Sequence, residues 1–267
     1  MTKRSIKNTG FTLIELVIVI MLLALVSLGG GSIIKLSGQI FVDVSNRDEL
    51  IASARFAVER LNRELRSALP NSVRVFSNTD STIECLEYIP TVTSTVYLDI
   101  PLSLTDPIIP LTVISFDDTL LTGGEQVVVY PLTASELYEN STNSTKRYPF
   151  VISSLTSVTN VKTFSLDPAN SVFSADSPTK RLYFVDLPIA YCASAGQLIR
   201  YTDYGYAGDP LSGTGVLMAE GLELAGTSFT VEGASLVRNA LVDIKLQFTK
   251  NGEIVNFYNQ VQVLNVP

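Results

Sequence analysis

Gly10-Phe11-Thr12-Leu13-Ile14-Glu15, continuing as Leu-Val-Ile-Val-Ile-Met-Leu-Leu-Ala-Leu-Val to Val26, is the stretch that decides the fold. From Leu16 to Ile34 the chain runs 19 residues without a charge. A helix of that length rises about 28 Å, close to the roughly 30 Å hydrocarbon core of a bilayer. Lys3, Arg4 and Lys7 precede the run and no cation follows until Lys35. The positive-inside rule therefore predicts a cytoplasmic start, with everything beyond Lys35 across the membrane. A secretory signal carries its small-residue cleavage site after the apolar run, and Ser27-Leu28-Gly29 imitates one only weakly. Gly10 stands before the run, so a cut there removes the basic leader and keeps the anchor.

Beyond the anchor the pattern turns amphipathic. Ile51, Ala54, Val58, Leu61, Leu65 and Ala68 recur at three- and four-residue spacing, which is one apolar helix face. Arg47, Asp48, Glu49, Arg55, Glu59, Arg60, Arg63, Glu64 and Arg66 mostly fill the other faces, with Glu59 and Arg63 in the favourable order for an i,i+4 pair. Pro70 and Asn71 stop the helix, which is expected to reach Leu69.

From Ser72 onward turn residues multiply and the periodicity shortens, so the remainder reads as mainly β. Strands are expected at 72–76, 82–88, 92–100, 111–116, 126–130, 158–166, 182–187, 197–201 and 228–232. The clearest element is a C-terminal hairpin. Val242, Ile244, Leu246 and Phe248 alternate with polar residues, Asn251-Gly252 supplies a two-residue turn, and Val255, Phe257, Val261 and Val263 alternate again. Setting Lys250 against Glu253 places Phe248 opposite Val255, Leu246 opposite Phe257 and Val242 opposite Val261, all on one face. Asn259 opposite Ile244 is the exception. The fold class is α+β, a long N-terminal helix packed on a mainly antiparallel β domain. Its expected segments are a leader at 1–10, a hydrophobic helix at 11–35, an amphipathic continuation at 36–70 and a β-rich body at 71–267.

Composition excludes several function classes. The chain has 267 residues, no histidine and a formal charge of −7. Loss of the leader would leave 16 basic against 26 acidic side chains, or −10. An acidic body lacks the cations that duplex DNA requires, so no nucleic-acid partner is expected. Without histidine the commonest general base and metal ligand are missing, which argues against an enzyme. Cys85 and Cys192 are too few for a zinc site. In an oxidising compartment they form one disulfide, and the alternative is two separate buried thiols. Asp203-Tyr-Gly-Tyr-Ala-Gly-Asp209 lacks EF-hand spacing and reads as a turn rather than a calcium loop. Tyr201, Tyr204 and Tyr206 read as partly buried rather than as an adhesive patch. Asn140 and Asn143 match a glycosylation pattern inside an exposed polar loop. No cofactor or metal is expected.

The hexapeptide at 10–15, beside its basic leader, resembles the processing site of type IV prepilins and type II secretion pseudopilins. That resemblance implies a ladle-shaped subunit cut by a prepilin peptidase between Gly10 and Phe11 and N-methylated at Phe11. Glu15 invites the same reading, because a carboxylate in an apolar span costs about 2.5–3.5 kcal/mol and calls for a partner. One reading meets it at the helix N-terminus, whose dipole it complements. The resemblance instead pairs it with the Phe11 amine of a neighbouring subunit. Gly29-Gly30-Gly31 weaken the helix by about 0.8–1 kcal/mol each. They fit close helix packing, or the local extension that the resemblance implies in filaments. Implied partners are other pilins, the peptidase, the inner-membrane assembly machinery and, before assembly, the lipid bilayer. The implied location is the bacterial inner membrane, with a cytoplasmic N-terminus and a periplasmic body, and then the pilus surface.

Within the family the length, the segment Ala54–Arg66, Phe184–Cys192, Leu198–Tyr201 and the tail Asn259–Pro267 resemble a minor pilin of the mannose-sensitive haemagglutinin (MSHA) pilus. A J-type minor pseudopilin of a secretion system and a pilus-tip adhesin are the alternatives.

Overall fold

The computed structural model describes residues 10–78, 80, 82–103, 110–139, 145–233 and 239–264, with 28–30 as backbone only. Lys3, Arg4 and Lys7 of the leader, Asn140, Asn143 and the last three residues of the tail lie outside the described residues. The chain divides into two units, Met1–Glu49 and Leu50–Pro267. Helix α1 (Leu13–Arg66) begins in the first and ends in the second.

In the first unit α1 is continuous through Gly29, Gly30 and Gly31. Its apolar side chains from Leu13 to Val26 are exposed, and among the described residues no segment covers them. It is long and apolar enough to cross a membrane.

In the second unit one stripe of the helix is fully covered. Ala54, Val58, Leu61, Leu65 and Ala68 are buried as expected, but Leu50 and Ala57 complete the stripe while Ile51, expected on it, is only partly buried. The small Ala54 and Ala57 allow the facing sheet to approach closely. The helix stops at Arg66, three residues before the expected Leu69. There the backbone finds strand-like partners instead: Leu69 N–H donates to the Ile89 carbonyl at 2.8 Å, and Thr91 N–H donates to the Ser67 carbonyl at 2.9 Å.

β1 (Arg74–Ser77) and β2 (Ile83–Tyr88) form the first hairpin. Next come β3 (Thr91–Asp99), β4 (Leu111–Ile114), β5 (Gln126–Val129), the short α2 (Ala134–Leu137), β6 (Arg147–Val158), β7 (Val161–Leu166) and β8 (Arg181–Val185). These six strands close a barrel in the order β3-β4-β7-β6-β5-β8. The chain then returns as β9 (Ile189–Ser194), β10 (Gln197–Thr202) and β11 (Thr214–Glu220), completing a sheet of order β1-β2-β9-β10-β11. Last, β12 (Ser228–Glu232), β13 (Ala240–Lys250) and β14 (Glu253–Val263) make a three-stranded antiparallel sheet. Both sheets share one apolar cluster with α1, including Leu86, Tyr191, Leu198, Phe229, Leu246 and Phe248.

The barrel has its own core, in which Phe150, Phe164 and Phe184 pack with ring centroids 5.2–5.6 Å apart. Cations on aromatic faces bind it to the neighbouring sheet. The Arg147 guanidinium sits 3.6 Å from the Tyr206 ring centre, and that of Arg74 sits 3.6 Å from the Tyr138 ring centre. Arg147 is fully buried and donates to the Leu137 carbonyl at 3.1 Å, so its charge is met by dipoles and π-faces.

The C-terminal hairpin has the expected register at every pair, Ile244 opposite Asn259 included. The exception has a partner, because the Asn259 side-chain amide donates to Asn62 Oδ1 on α1. Elsewhere the structure corrects the sequence reading. The strand expected at 158–166 is the end of β6, a turn at Thr159-Asn160 and then β7, with Val158 opposite Val161. β6 was hidden by Pro149 and a serine-rich centre. Pro149 sits opposite Gln126, and β6 shifts register between Val151 and Thr156. β9 shows no alternation because both its faces are covered: Tyr191 and Ala193 meet the helix-side cluster, while Ala190 and Cys192 meet Tyr204. β11, which follows Gly213 and contains Gly215, lies outside the expected strands.

Candidate functional site

Gly10 is exposed with open space around its Cα, and Phe11 is 77% exposed. Thr12 precedes the first helical residue. Its Oγ1 accepts a hydrogen bond from Glu15 N–H at 3.4 Å, and its carbonyl accepts from Leu16 N–H at 3.2 Å. Thr12 is therefore the helix N-cap, a role the sequence reading missed. Thr12-x-x-Glu15 is the spacing of a capping box, a signal sufficient to find it. The cap fixes where α1 begins, whatever happens on the other side of the Gly10–Phe11 bond.

Glu15 lies in the first turn of α1 and is exposed. Among the described residues no cation pairs with its carboxylate. Four residues of helix separate it from Phe11, about 6 Å of rise. The arrangement offers an anion beside a helix start, surrounded by Leu13, Ile14, Leu16 and Ile18, all exposed and apolar. Gly29, Gly30 and Gly31 lie about four turns further on, inside the unbroken helix.

The other end of α1 holds a carboxylate of the opposite kind. Glu64, placed by the sequence pattern among solvent-facing charges, points into the second unit. Its Oε1 accepts from Arg60 Nε at 2.9 Å, and its Oε2 accepts from Tyr88 at 2.6 Å, Tyr191 at 2.9 Å and Arg200 Nε at 3.0 Å. Burial pushes its pKa up, and the hydrogen bonds from Tyr88, Arg60 and Arg200 outweigh that to hold it down at about 2. Among the described residues Arg60–Glu64 forms an i,i+4 ion pair on this helix, whereas the expected Glu59–Arg63 does not. A second buried carboxylate, Glu87 on β2, pairs with Arg74, and burial pushes its pKa up against that ion pair.

Cys85 and Cys192 are joined in a disulfide, with Cα atoms 4.1 Å apart. They are directly opposed on β2 and β9, and their neighbours Tyr88 and Ile189 end the same ladder. Between those two strands runs the entire barrel. The loop from Asp203 to Asp209 buries Tyr204 and Tyr206, while Asp209 caps a short turn by accepting from Leu211 N–H at 3.0 Å. No group of three or more metal-binding side chains comes together among the described residues.

Residues 6–31 match the family described as prokaryotic N-terminal methylation motif. The match spans Gly10, Phe11, Thr12, Glu15 and the three glycines, and it marks the start of the chain as a type IV pilin-like prepilin signal. No curated protein and no solved structure matches the chain.

Proposed function

We propose that the chain is a minor pilin of an MSHA-type pilus, incorporated into the filament or priming its assembly. Prepilin peptidase cuts between Gly10 and Phe11, and Phe11 is N-methylated. The subunit waits in the inner membrane with its N-terminus cytoplasmic and its body periplasmic, and it enters the pilus through α1. The observation that carries this reading is an apolar helix left uncovered among the described residues, with a carboxylate at its first turn that no cation meets among them. Lipid covers such a helix before assembly and other pilins cover it afterwards, while the cationic amine of a neighbouring Phe11 answers Glu15. The disulfide supports an oxidising compartment for the body. The resemblance of 184–192, 198–201 and the tail to the MSHA minor pilin MshO supports the subfamily. A body that carries a whole barrel beyond what α1 needs for cover favours a minor subunit over the bulk fibre.

Glu15→Ala tests it. Leader cleavage proceeds normally, and the amount of subunit in sheared, purified pili falls sharply. Wild-type incorporation of the mutant would remove the pairing role. Finding the protein in a secretion complex and absent from pili would reassign it as a pseudopilin.

A further inference from the structure

The five-stranded sheet has two faces, and different parts of the chain cover them. Leu86, Tyr88, Tyr191 and Ala193 lie on the helix side, in the cluster that α1 completes. Cys85, Ala190 and Cys192 alternate with them along β2 and β9, so they turn to the other side, where they are fully buried. Phe76, Ile83 and Tyr201 flank them on the sheet and are only partly buried. Among the described residues, Tyr204 is the one buried member of this cluster that no strand supplies. Without its ring the disulfide would face outward between half-buried neighbours.

Tyr204 belongs to residues 203–213, a strap that leaves the sheet after Thr202 and returns to it at Thr214, directly opposite. Its fold is fixed locally. Asp203 and Gly205 take positive φ, 63° and 73°, which turns the chain back over the face it has just left. Gly208 packs so closely that a Cβ there would run into the Tyr204 carbonyl. Asp209 holds the far half as the cap of a 3-10 turn at Pro210–Ser212. The strap is also seated on the barrel. The Tyr206 ring stacks on the Arg147 guanidinium of β6, and its hydroxyl donates to the Asp186 carbonyl, just past β8, at 3.0 Å. The strap therefore reaches its final position only on a folded barrel.

We infer that this strap is a lid on the Cys85–Cys192 bond, and that thiol–disulfide exchange reaches the pair only while the lid is open. Oxidation then comes before strap closure in the maturation of the chain, and closure makes the bond permanent. Forming it takes two exchange steps with an oxidant that itself carries a disulfide. One cysteine thiolate attacks a sulfur of the oxidant and displaces the other as a thiolate. The second cysteine thiolate attacks the mixed disulfide, closes Cys85–Cys192 and frees the remaining sulfur of the oxidant. Two electrons pass to the oxidant, and the two cysteine protons end on its sulfurs. The mixed disulfide needs room for a third sulfur and its carrier on the outer face, and the Tyr204 ring occupies that room. The helix side offers none, because the core there is closed. Reduction retraces the same steps, so one opening governs both directions.

The full-length chain in detergent micelles provides the test, with dithiothreitol as the probe and free thiols counted by alkylation and mass. Cys85 and Cys192 are the only cysteines, so every thiol that appears reports this bond. Under native conditions the parent bond is reduced about a hundredfold or more slowly than in the urea-unfolded chain. Tyr204→Ala removes the ring, and reduction accelerates about tenfold or more. Gly208→Val leaves Tyr204 in place but forces the strap off the sheet, and it does the same. Tyr204→Phe keeps the ring and stays near the parent rate. Leu61→Ala weakens the α1 core without touching the strap, so it also stays near the parent rate. A parent bond reduced as fast as in the unfolded chain would overturn the inference, and so would Tyr204→Ala at the parent rate. Equal acceleration by Leu61→Ala would also overturn it, since access would then come from global unfolding. Circular dichroism before reduction shows which variants are folded, and should Tyr204→Ala not fold, Gly208→Val takes its place in each comparison. None of these outcomes depends on whether Glu15 governs filament entry.

Discussion

Glu15 and Glu64 are two carboxylates on one helix, and the chain treats them in opposite ways. Glu64 receives Arg60, Arg200, Tyr88 and Tyr191 from its own unit. Among the described residues the Glu15 carboxylate meets no cation, and only its backbone N–H is taken up, by Thr12 Oγ1. The apolar residues around them differ in the same sense: Leu61 and Leu65 are fully buried, whereas Leu13, Leu16 and Leu22 are exposed. One half of α1 is completed by the sheets the chain supplies. The other half is a helix whose solvent and partners lie outside the chain. A buried side chain near residue 60 is therefore a matter of folding, and an apolar side chain near residue 20 is a matter of location.

The sharpest way to break that contrast is to trim one leucine from each half. Leu61→Ala removes a fully buried side chain and is expected to cost about 2–5 kcal/mol of stability, read as a lower melting temperature. Leu22→Ala should leave the melt of the second unit unchanged within about 0.5 kcal/mol, because Leu22 is exposed and among the described residues no segment covers it. A matching loss at Leu22 would mean that the first half also has a cover within the chain.

The disulfide comes next. Its sulfurs are buried and it closes a loop of 107 residues, so replacing both Cys85 and Cys192 by serine is expected to cost about 2–4 kcal/mol. Denaturant midpoints of the variant and the parent check this. The effect belongs to the second unit and should leave membrane insertion of α1 untouched.

Glu64→Gln probes the carboxylates directly. It removes the ion pairs with Arg60 and Arg200 and is expected to destabilise the second unit by about 2 kcal/mol at neutral pH. The sign of the pH effect follows from a pKa lowered on folding. The stabilisation is complete above the ordinary carboxylate range and is lost as pH falls from about 4.5 toward about 2. Glu87 acts in reverse, since its raised pKa favours folding as it protonates. The difference between parent and Glu64→Gln across an acid titration isolates Glu64, and it should vanish near pH 2. A difference constant with pH would show that the network holds α1 by shape rather than charge.

The smallest effect is at the helix–hairpin contact. Asn62→Ala leaves the Asn259 amide facing α1 without its partner, a loss of about 1 kcal/mol. Pairing it with Asn259→Val should recover most of that loss, as both polar groups are then gone.

The same contrast explains what was legible in the sequence. The hairpin of β13 and β14 could be read to the residue because one face is buried and the other wet, so its alternation is clean and Asn251-Gly252 marks the turn. The apolar anchor and its processing signal were equally plain, since a charge-free run and a short motif need no tertiary context. Glu64 was misplaced because helical spacing cannot distinguish a solvated charge from one met by tyrosines more than twenty residues away. β9 was missed because burial on both faces erases the alternation that betrays a strand. The barrel went unread for a related reason. Pro149 interrupts the pattern of β6, and closure depends on β8 pairing with both β3 and β5 at long range.

The chain leaves the sheet after Tyr88 and rejoins it at Ile189, and these two residues face each other at the end of the ladder that holds the Cys85–Cys192 bond. The barrel is thus a cassette with adjacent ends. Chain length added or lost inside the barrel leaves the spacing of the two receiving strands unchanged, whereas a change at Tyr138 or Arg147 reaches Arg74 and Tyr206 outside it.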